Sequence, residues 1–438
     1  MRELVEKLAG LNRSIVSDAL EESLQYIQTR VPLLIHRIPS GSKCFDWTVP
    51  RKWIMRGGTI EDEKGNVLID YEEHNLHVVI GSLPIDRVVT HKELIDHLHW
   101  IDDDPDRLPY VFKYYELDWG FCVRGKDLEK FQGKNFHVRI DSDYVDGDLC
   151  VGECLIEGEV QDSIAFLSHI DHPVQVQDGL SGVAVLVRVA ENLLASLDGH
   201  KPYYTYRFFF GPETIGSIAY LASNPVAKNA IREAIFFEML GVPGQDLVLQ
   251  VPPQKNSCIA KLFKCSLQRN SSRFSIADPL SVVINDDGVF NSPGVDIPAA
   301  SLSRSIAKNI YQEHFPGYHT DVDNMNFMDY EKLDESLKIV EYAIGVLEKD
   351  CIPVRNYTAI PHLSSHQLWV DRHQYPGISK MIRYLLYNLD NQTSLFEICC
   401  RLSIDFDEAR LFMERMESKG LVSFKRPQYL SAGEKKIK

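Results

Sequence analysis

Five polar clusters in the middle of the chain carry side chains able to ligate a metal or move a proton. Ser168-His169-Ile170-Asp171-His172-Pro173 follows an apolar run. His169 and Asp171 are two apart, so on an extended segment both point to one side. A ligating imidazole needs a carboxylate to orient it, and Asp171 could do this for His169. In Gln177-Asp178-Gly179-Leu180-Ser181-Gly182, Asp178 precedes a helical pattern, Ser181 is a candidate cap, and the glycines permit close backbone approach. Glu213, in Phe210-Gly211-Pro212-Glu213-Thr214, ends an aromatic run and opens a helix, a suitable place for a general base. Glu238 ends Ala234-Ile235-Phe236-Phe237, where a lone carboxylate is costly unless a cation binds it. His319 lies in Tyr318-His319-Thr320-Asp321-Val322-Asp323, with Asp321 or Asp323 to hold the loop. Each cluster alone also has a plainer reading, as a polar loop, a cap, a first-turn Glu or a solvated strand end. Together they make a mixed nitrogen and oxygen donor set, which suits a catalytic zinc with one position left for water.

The surrounding pattern places these residues at one edge of a sheet. Ser163 to Ser168, Tyr204 to Phe210, Ala234 to Phe237, Asp246 to Val251 and Ile297 to Leu302 read as buried strands. Ser181 to Leu194, Thr214 to Ala222 and Asp329 to Lys349 read as helices. Alternating strands and helices predict an α/β fold, a mixed and largely parallel sheet covered by helices over 151–358. Ligands of such sheets bind beyond the carboxyl ends of the strands. Residues 1–36 have helical spacing up to Pro32. Residues 37–150 are broken by Gly and Pro and read as a β-rich insert, with Val67-Leu68-Ile69, Leu76 to Ile80 and Phe136 to Ile140 as strands. Its aromatics Trp100, Tyr110, Phe112, Tyr114 and Tyr115 suggest a packed face, or else a groove. In 362–438, helices over Ile378–Leu389, Ser394–Arg401 and Asp405–Lys419, Gly420 as a C-cap and a strand from Leu421 form the pattern of a winged helix. Lys435 to Lys438 reads as a disordered tail.

Bulk properties narrow the function further. The net charge of −15 disfavours phosphate backbones, and no run of eighteen apolar residues predicts a membrane span. The N-terminus reads as an amphipathic helix instead of a signal peptide. The nine cysteines are odd in number, scattered and mostly in apolar stretches, as in a cytoplasmic protein with reduced thiols. Cys150 and Cys154 have clip spacing but no matching second pair.

The order of these motifs resembles the zinc aminopeptidase superfamily, which includes bacterial leucyl aminopeptidases and glutaminyl cyclases. Gly294-Val295-Asp296-Ile297-Pro298-Ala299 ahead of Tyr318-His319-Thr320 adds to the likeness. The whole layout is similar to a bacterial aminopeptidase-like family with a β insert and a C-terminal winged helix. The resemblance implies a zinc-exopeptidase fold that holds one or two zinc ions. His169 and Glu238 would ligate one position, His319 the other, and Asp178 would bridge them. Asp171 would stand behind His169, and Glu213 would act as base on a zinc-activated water. The substrate would be a peptide or aminoacyl small molecule, cut at an amide beside a free amine. Two departures stand out. Thr214 occupies the place of an acidic ligand that the family shares with its second histidine, and the step from His169 to Asp178 is short. A degenerate hydrolase fold that binds a ligand or protein is the competing reading. A DNA-binding regulator is disfavoured, because Asp405, Asp407, Glu408, Glu414 and Glu417 crowd the third C-terminal helix. Oligomeric state is left open, a homo-oligomer included.

Overall fold

The computed structural model describes residues 1–427, so the expectation for Lys435 to Lys438 lies outside the described residues. The chain forms two compact units, one of 1–260 with 271–338, the other of 261–270 with the segment from 339 onward.

An eight-stranded sheet organises the first unit. Its order is Leu33–Pro39, Asp148–Ile156, Thr205–Gly211, Ser163–His169, Ile231–Phe237, Ala299–Ser303, Leu247–Gln250 and Phe274–Ala277. The four inner strands, from Thr205–Gly211 to Ala299–Ser303, run parallel. The Asp148–Ile156 and Leu247–Gln250 pairings to them are antiparallel. The fold is therefore mixed with a parallel centre, as the alternation of elements implied. Ser163–His169 is buried along its whole length. That explains its unbroken apolar character, since helices cover both faces of a parallel sheet.

Leu180–Leu197 is one of those helices, and ten of its residues are buried. It is the one helix among the described residues long and apolar enough to cross a membrane, and 61% of that window is buried inside the protein. Gly182 lets it lie against the sheet, since a Cβ there would sit 2.3 Å from the Phe237 carbonyl oxygen. Ser181 is not its cap. Gly179 holds that position, while the Ser181 hydroxyl donates to the Gln177 carbonyl (2.6 Å) and accepts from the Leu240 amide (2.9 Å).

The N-terminal segment is helical at Arg2–Ala9 and Asp18–Gln28 only. Past Pro32 the chain enters the edge strand Leu33–Pro39 and pairs with Asp148–Ile156. Both borders of the insert are thus strands of the main sheet. Within the insert, Val67–Asp70, Lys52–Glu61, Asn135–Val145 and Ile85–Thr90 form a separate four-stranded sheet in that order. Leu76 to Ile80 is a 3-10 turn at Asn75–His77 followed by isolated bridges, not a strand. It packs under Phe121, Phe136 and Val138, so its apolar run reflects burial without a ladder.

In the second unit, Pro376–Asn388, Leu395–Leu402 and Phe406–Ser418 are helices, and Val422–Lys425 pairs antiparallel with Ile352–Arg355. Ser394 and Asp405 accept the amides of Glu397 and Glu408, which fixes both helix starts. Gly420, at φ 72°, ends the third helix. All nine cysteines are free thiols. Cys150 and Cys154 join no candidate metal cluster among the described residues.

Candidate metal centre

Three parallel strands end at one edge of the sheet and deliver the site. His169 is the last residue of Ser163–His169, paired with Gly211. Glu213 lies two residues past Thr205–Gly211, and Glu238 follows Ile231–Phe237 directly. Asp178 comes from the loop before Leu180–Leu197, and His319 from a loop on the same side. The structure brings His169, Asp171, Asp178, Glu213, Glu238 and His319 together.

Asp178 is the hub. One oxygen, Oδ1, lies 3.1 Å from His169 Nε2, which is itself 3.3 Å from Glu238 Oε2. The other, Oδ2, lies 2.9 Å from His319 Nε2 and 3.0 Å from His172 Nδ1. Asp178 belongs to two of the three triads, among the described residues, whose donor atoms lie within 4.8 Å of one another, His169/Asp178/Glu238 and His172/Asp178/His319; the third is His169/Asp171/His172. His172 was missing from the residues singled out in the sequence. Its signal is present, a second imidazole three residues after His169 in the same loop, but the pair His169 and Asp171 already satisfies the expected motif.

This donor set fits a divalent ion. Buried imidazoles and carboxylates converge without enough protein cations among them to balance the charge. Without an ion, His169 and His172 must carry protons. Burial would lower the His169 pKa, but contacts to Asp171, Asp178 and Glu238 hold it well above the ordinary range. Burial works likewise against His172, yet Asp178 and Asp171 hold it up at about 10. Burial also opposes ionisation of Asp178, and the three imidazoles overcome it, keeping this carboxyl well below its usual range. Burial wins at Glu238, which is pushed up to about 7 against the His169 hydrogen bond.

Surrounding groups fix the loops. Asp171 lies 3.5 Å from His169 Nδ1, and the same carboxylate oxygen accepts the Glu213 amide at 2.8 Å. Asp323 accepts the Gln177 and Asp178 amides at 2.7 and 3.1 Å, so of the two loop carboxylates it is the one that holds Asp178. Asp321 instead accepts the Leu108 amide (2.9 Å) and pairs with Arg124, both in the insert. The Arg13 guanidinium, fully buried, donates to the carbonyls of Leu8, Ile170 (2.8 Å), His172 (2.6 Å) and Gln175 (3.2 Å). No pattern in the sequence marked Arg13. Tyr110 of the insert packs on His172 and His319, with ring centroids 5.2 and 5.0 Å away. Of the aromatic cluster, Tyr110 is thus packed against the site, whereas Phe112 and Tyr115 are exposed. Asp286 and Asp287, whose sequence suits a solvated loop, are instead buried in the short helix Asp286–Asn291, and burial pushes Asp286 to about 7.

Comparison with known proteins assigns the chain to a family. The profile described as "Domain of unknown function (DUF4910)" matches residues 2–350. The chain belongs to the DUF4910 family. A Clostridium acetobutylicum protein, provisionally named as a polysaccharide biosynthesis protein with an aminopeptidase-like domain, is 32% identical over 411 residues, 92% of this chain and 91% of that one. A crystal structure of a provisionally assigned peptidase from the same organism superposes with TM-score 0.86 at 30% identity, covering 97% of this chain and 96% of the other. A zinc aminopeptidase from Bacillus subtilis shares the fold at TM-score 0.58 and 13% identity, over 78% of this chain and 93% of that one. This DUF4910 chain therefore has an aminopeptidase-like fold with a His/Asp cluster able to bind a metal.

Proposed function

We propose that this protein is a metal-dependent hydrolase of the aminopeptidase type, cleaving an amide beside a free amine in a peptide or aminoacyl small molecule. One observation carries the reading: His169, Asp178, Glu238 and His319 converge where the parallel strands end, with the Glu213 carboxylate beside them. Those four residues would hold zinc. A bound zinc supplies Lewis acidity and makes water a far stronger acid. Glu213 serves as the general base, with about a third of its side chain exposed, unlike the buried His169, Asp178 and Glu238. Asp171 holds the Glu213 backbone through its amide, so the base keeps its place as it takes and returns a proton. The β-rich insert limits access, since Tyr110 roofs two of the imidazoles.

Release of amine from a panel of aminoacyl anilides by the zinc-loaded full chain tests this. Loss of a general base costs roughly 10²- to 10⁴-fold. Glu213→Gln should lower kcat by that factor with metal content unchanged. Equal rates in the variant and the wild type would sink the assignment. The competing reading, a degenerate hydrolase fold that binds a ligand or protein, draws on Thr214 in place of an acidic ligand. It requires metal-loaded protein with no turnover on any member of the panel. We further read 362–438 as a winged helix used for protein or interdomain contact, its third helix being acidic, and place the protein in the cytoplasm on its scattered, free cysteines.

A further inference from the structure

We propose that His172 is the protein donor that Thr214 cannot supply, so that the centre binds two inequivalent ions, one on His169/Asp178/Glu238 and one on His172/Asp178/His319. The inference rests on the metal-hydrolase reading above and adds a ligand that the motif comparison did not contain.

Three observations carry it. The first is the division of Asp178. Its Oδ1 faces His169 and its Oδ2 faces both His172 Nδ1 (3.0 Å) and His319 Nε2 (2.9 Å). A carboxylate serving one ion has no need to address separate donor groups with its two oxygens. The second is the far side of each imidazole. Ligating histidines as a rule donate their other ring N–H to a carboxylate or carbonyl, which fixes the tautomer. Behind His169 Nδ1 the Asp171 carboxylate lies at 3.5 Å, without a hydrogen bond, and behind His172 Nε2 lies Glu213 Oε2 at 3.0 Å. With an ion bound, each ring would present its lone pair on the side of Asp178. The third is the immobility of His172. Arg13 grips its carbonyl at 2.6 Å, Tyr110 and His169 flank its ring at 5.2 and 4.6 Å, and its side chain is 3% exposed. Thr214 offers only a neutral hydroxyl. It sits at φ 60°, a cost that no side-chain cap hydrogen bond offsets.

The substitution has chemical consequences. One position keeps a nitrogen and two carboxylates, while the other has two nitrogens and only a shared carboxylate. Imidazole suits zinc, cobalt and nickel, whereas carboxylate-rich sites also suit manganese and magnesium. The His172 position should therefore discriminate more sharply against manganese. His172 also ties the second ion to the proton acceptor, because the ring that would coordinate through Nδ1 donates to Glu213 through Nε2.

The test is metal counting on the full chain, stripped with chelator, reloaded with zinc or cobalt, desalted and measured by elemental analysis. Cobalt d–d absorption serves as a second readout. Wild type should hold two ions, His172→Gln one, and Thr214→Val two. Asp171→Asn, which alters a group behind the first position, controls for general damage to the loop and should still hold two. Circular dichroism of each variant separates a lost ligand from a lost fold. A His172→Gln protein that folds and keeps two ions with an unchanged cobalt spectrum would overturn the assignment, as would a Thr214→Val protein that loses one. A wild type with a single ion indifferent to His172 also refutes it, yet leaves the hydrolase reading standing. A wild type that binds no ion removes both.

Discussion

Removing the Arg13 guanidinium should loosen the loop that carries His172 without touching a proposed ligand. Three of its four acceptors, Ile170, His172 and Gln175, lie between His169 and Asp178, and the fourth, Leu8, ends the first helix region. Burial lowers the Arg13 pKa to about 10, so the group stays charged at neutral pH and its hydrogen bonds are charge-assisted. In Arg13→Met the carbonyls of Ile170, His172 and Gln175 lose their donor, at roughly 1.5 kcal/mol for each charge-assisted bond, while Leu8 keeps the Leu11 amide. The variant strands no opposite charge in direct contact, because every hydrogen-bond partner is a carbonyl. A loss of about 4 kcal/mol is thus expected, a large share of the ~5–15 kcal/mol that holds a typical domain. Groups behind metal ligands typically change metal affinity by about 10- to 100-fold. Zinc affinity, measured by chelator competition, should fall within that range. Arg13→Lys keeps the charge but not the planar fork, and should recover less than half of the stability. Urea unfolding of the metal-free full chain gives the first quantity. An unchanged urea midpoint, or a lower one with unchanged zinc affinity, would show that Arg13 does not clamp the metal loop.

Further outcomes can be stated more briefly. Gly182→Ala drives a Cβ to 2.3 Å from the Phe237 carbonyl oxygen and should cost on the order of 3 kcal/mol in thermal unfolding, whereas Gly345→Ala, with nothing within 4 Å, should stabilise by about 0.5–1 kcal/mol. Asp323→Ala removes the acceptor of two buried amides, Gln177 and Asp178, and should lose zinc more readily on dialysis than Asp323→Asn, which keeps one acceptor oxygen. Burial lifts Asp350 from 3.8 to about 7 although it accepts the Cys351 and Phe396 amides. A raised acid pKa means that the folded protein holds its proton more tightly, so this group's contribution is greatest below pH 4 and declines until about pH 7. Asp350→Asn lacks that decline, and its stability relative to wild type should rise by roughly 2 kcal/mol between pH 5 and pH 8 in urea titrations, allowing for screening of a full shift at 1.36 kcal/mol per pH unit.

Much of the centre was legible in the sequence because strand ends are legible. An apolar run such as Ser163 to Ser168 or Ala234 to Phe237 announces a buried parallel strand. A polar residue at its carboxyl end then stands out against a strong background. His169, Glu213 and Glu238 were found in that way. Residues that hold a loop by backbone contact leave no such contrast. Arg13 bonds to carbonyls, which every residue possesses, so nothing in the sequence near Ile170 or Gln175 foretold it. His172 was overlooked for a related reason, since one His-x-Asp pair satisfied the expected motif. Leu76 to Ile80 was misread as a strand because burial and ladder formation give the same apolar run. Asp286 and Asp287 are an adjacent acidic pair of the kind usually solvated, and only the tertiary arrangement puts them inside.

The insert matters to the centre in a way that composition alone does not convey. His319 is held at φ 54°, a left-handed conformation that costs a non-glycine residue of order 1 kcal/mol or more. Such a backbone persists only when its surroundings over-determine it. Here the constraints come from residues two hundred positions earlier. The Tyr110 amide donates to the His319 carbonyl at 2.8 Å, the Asp321 amide to the Leu108 carbonyl at 3.0 Å, and the Leu108 amide to the Asp321 carboxylate at 2.9 Å, while Arg124 pairs with the same carboxylate. Pro109 and Thr320 form a β-bridge within this tie. The insert thus acts as a splint for a site histidine that no sheet strand positions. His169 owes its place to a parallel strand and Asp178 to a helix start, but His319 owes its place to the insert. A chain shortened through that segment would lose this imidazole's conformation, whatever it did to access.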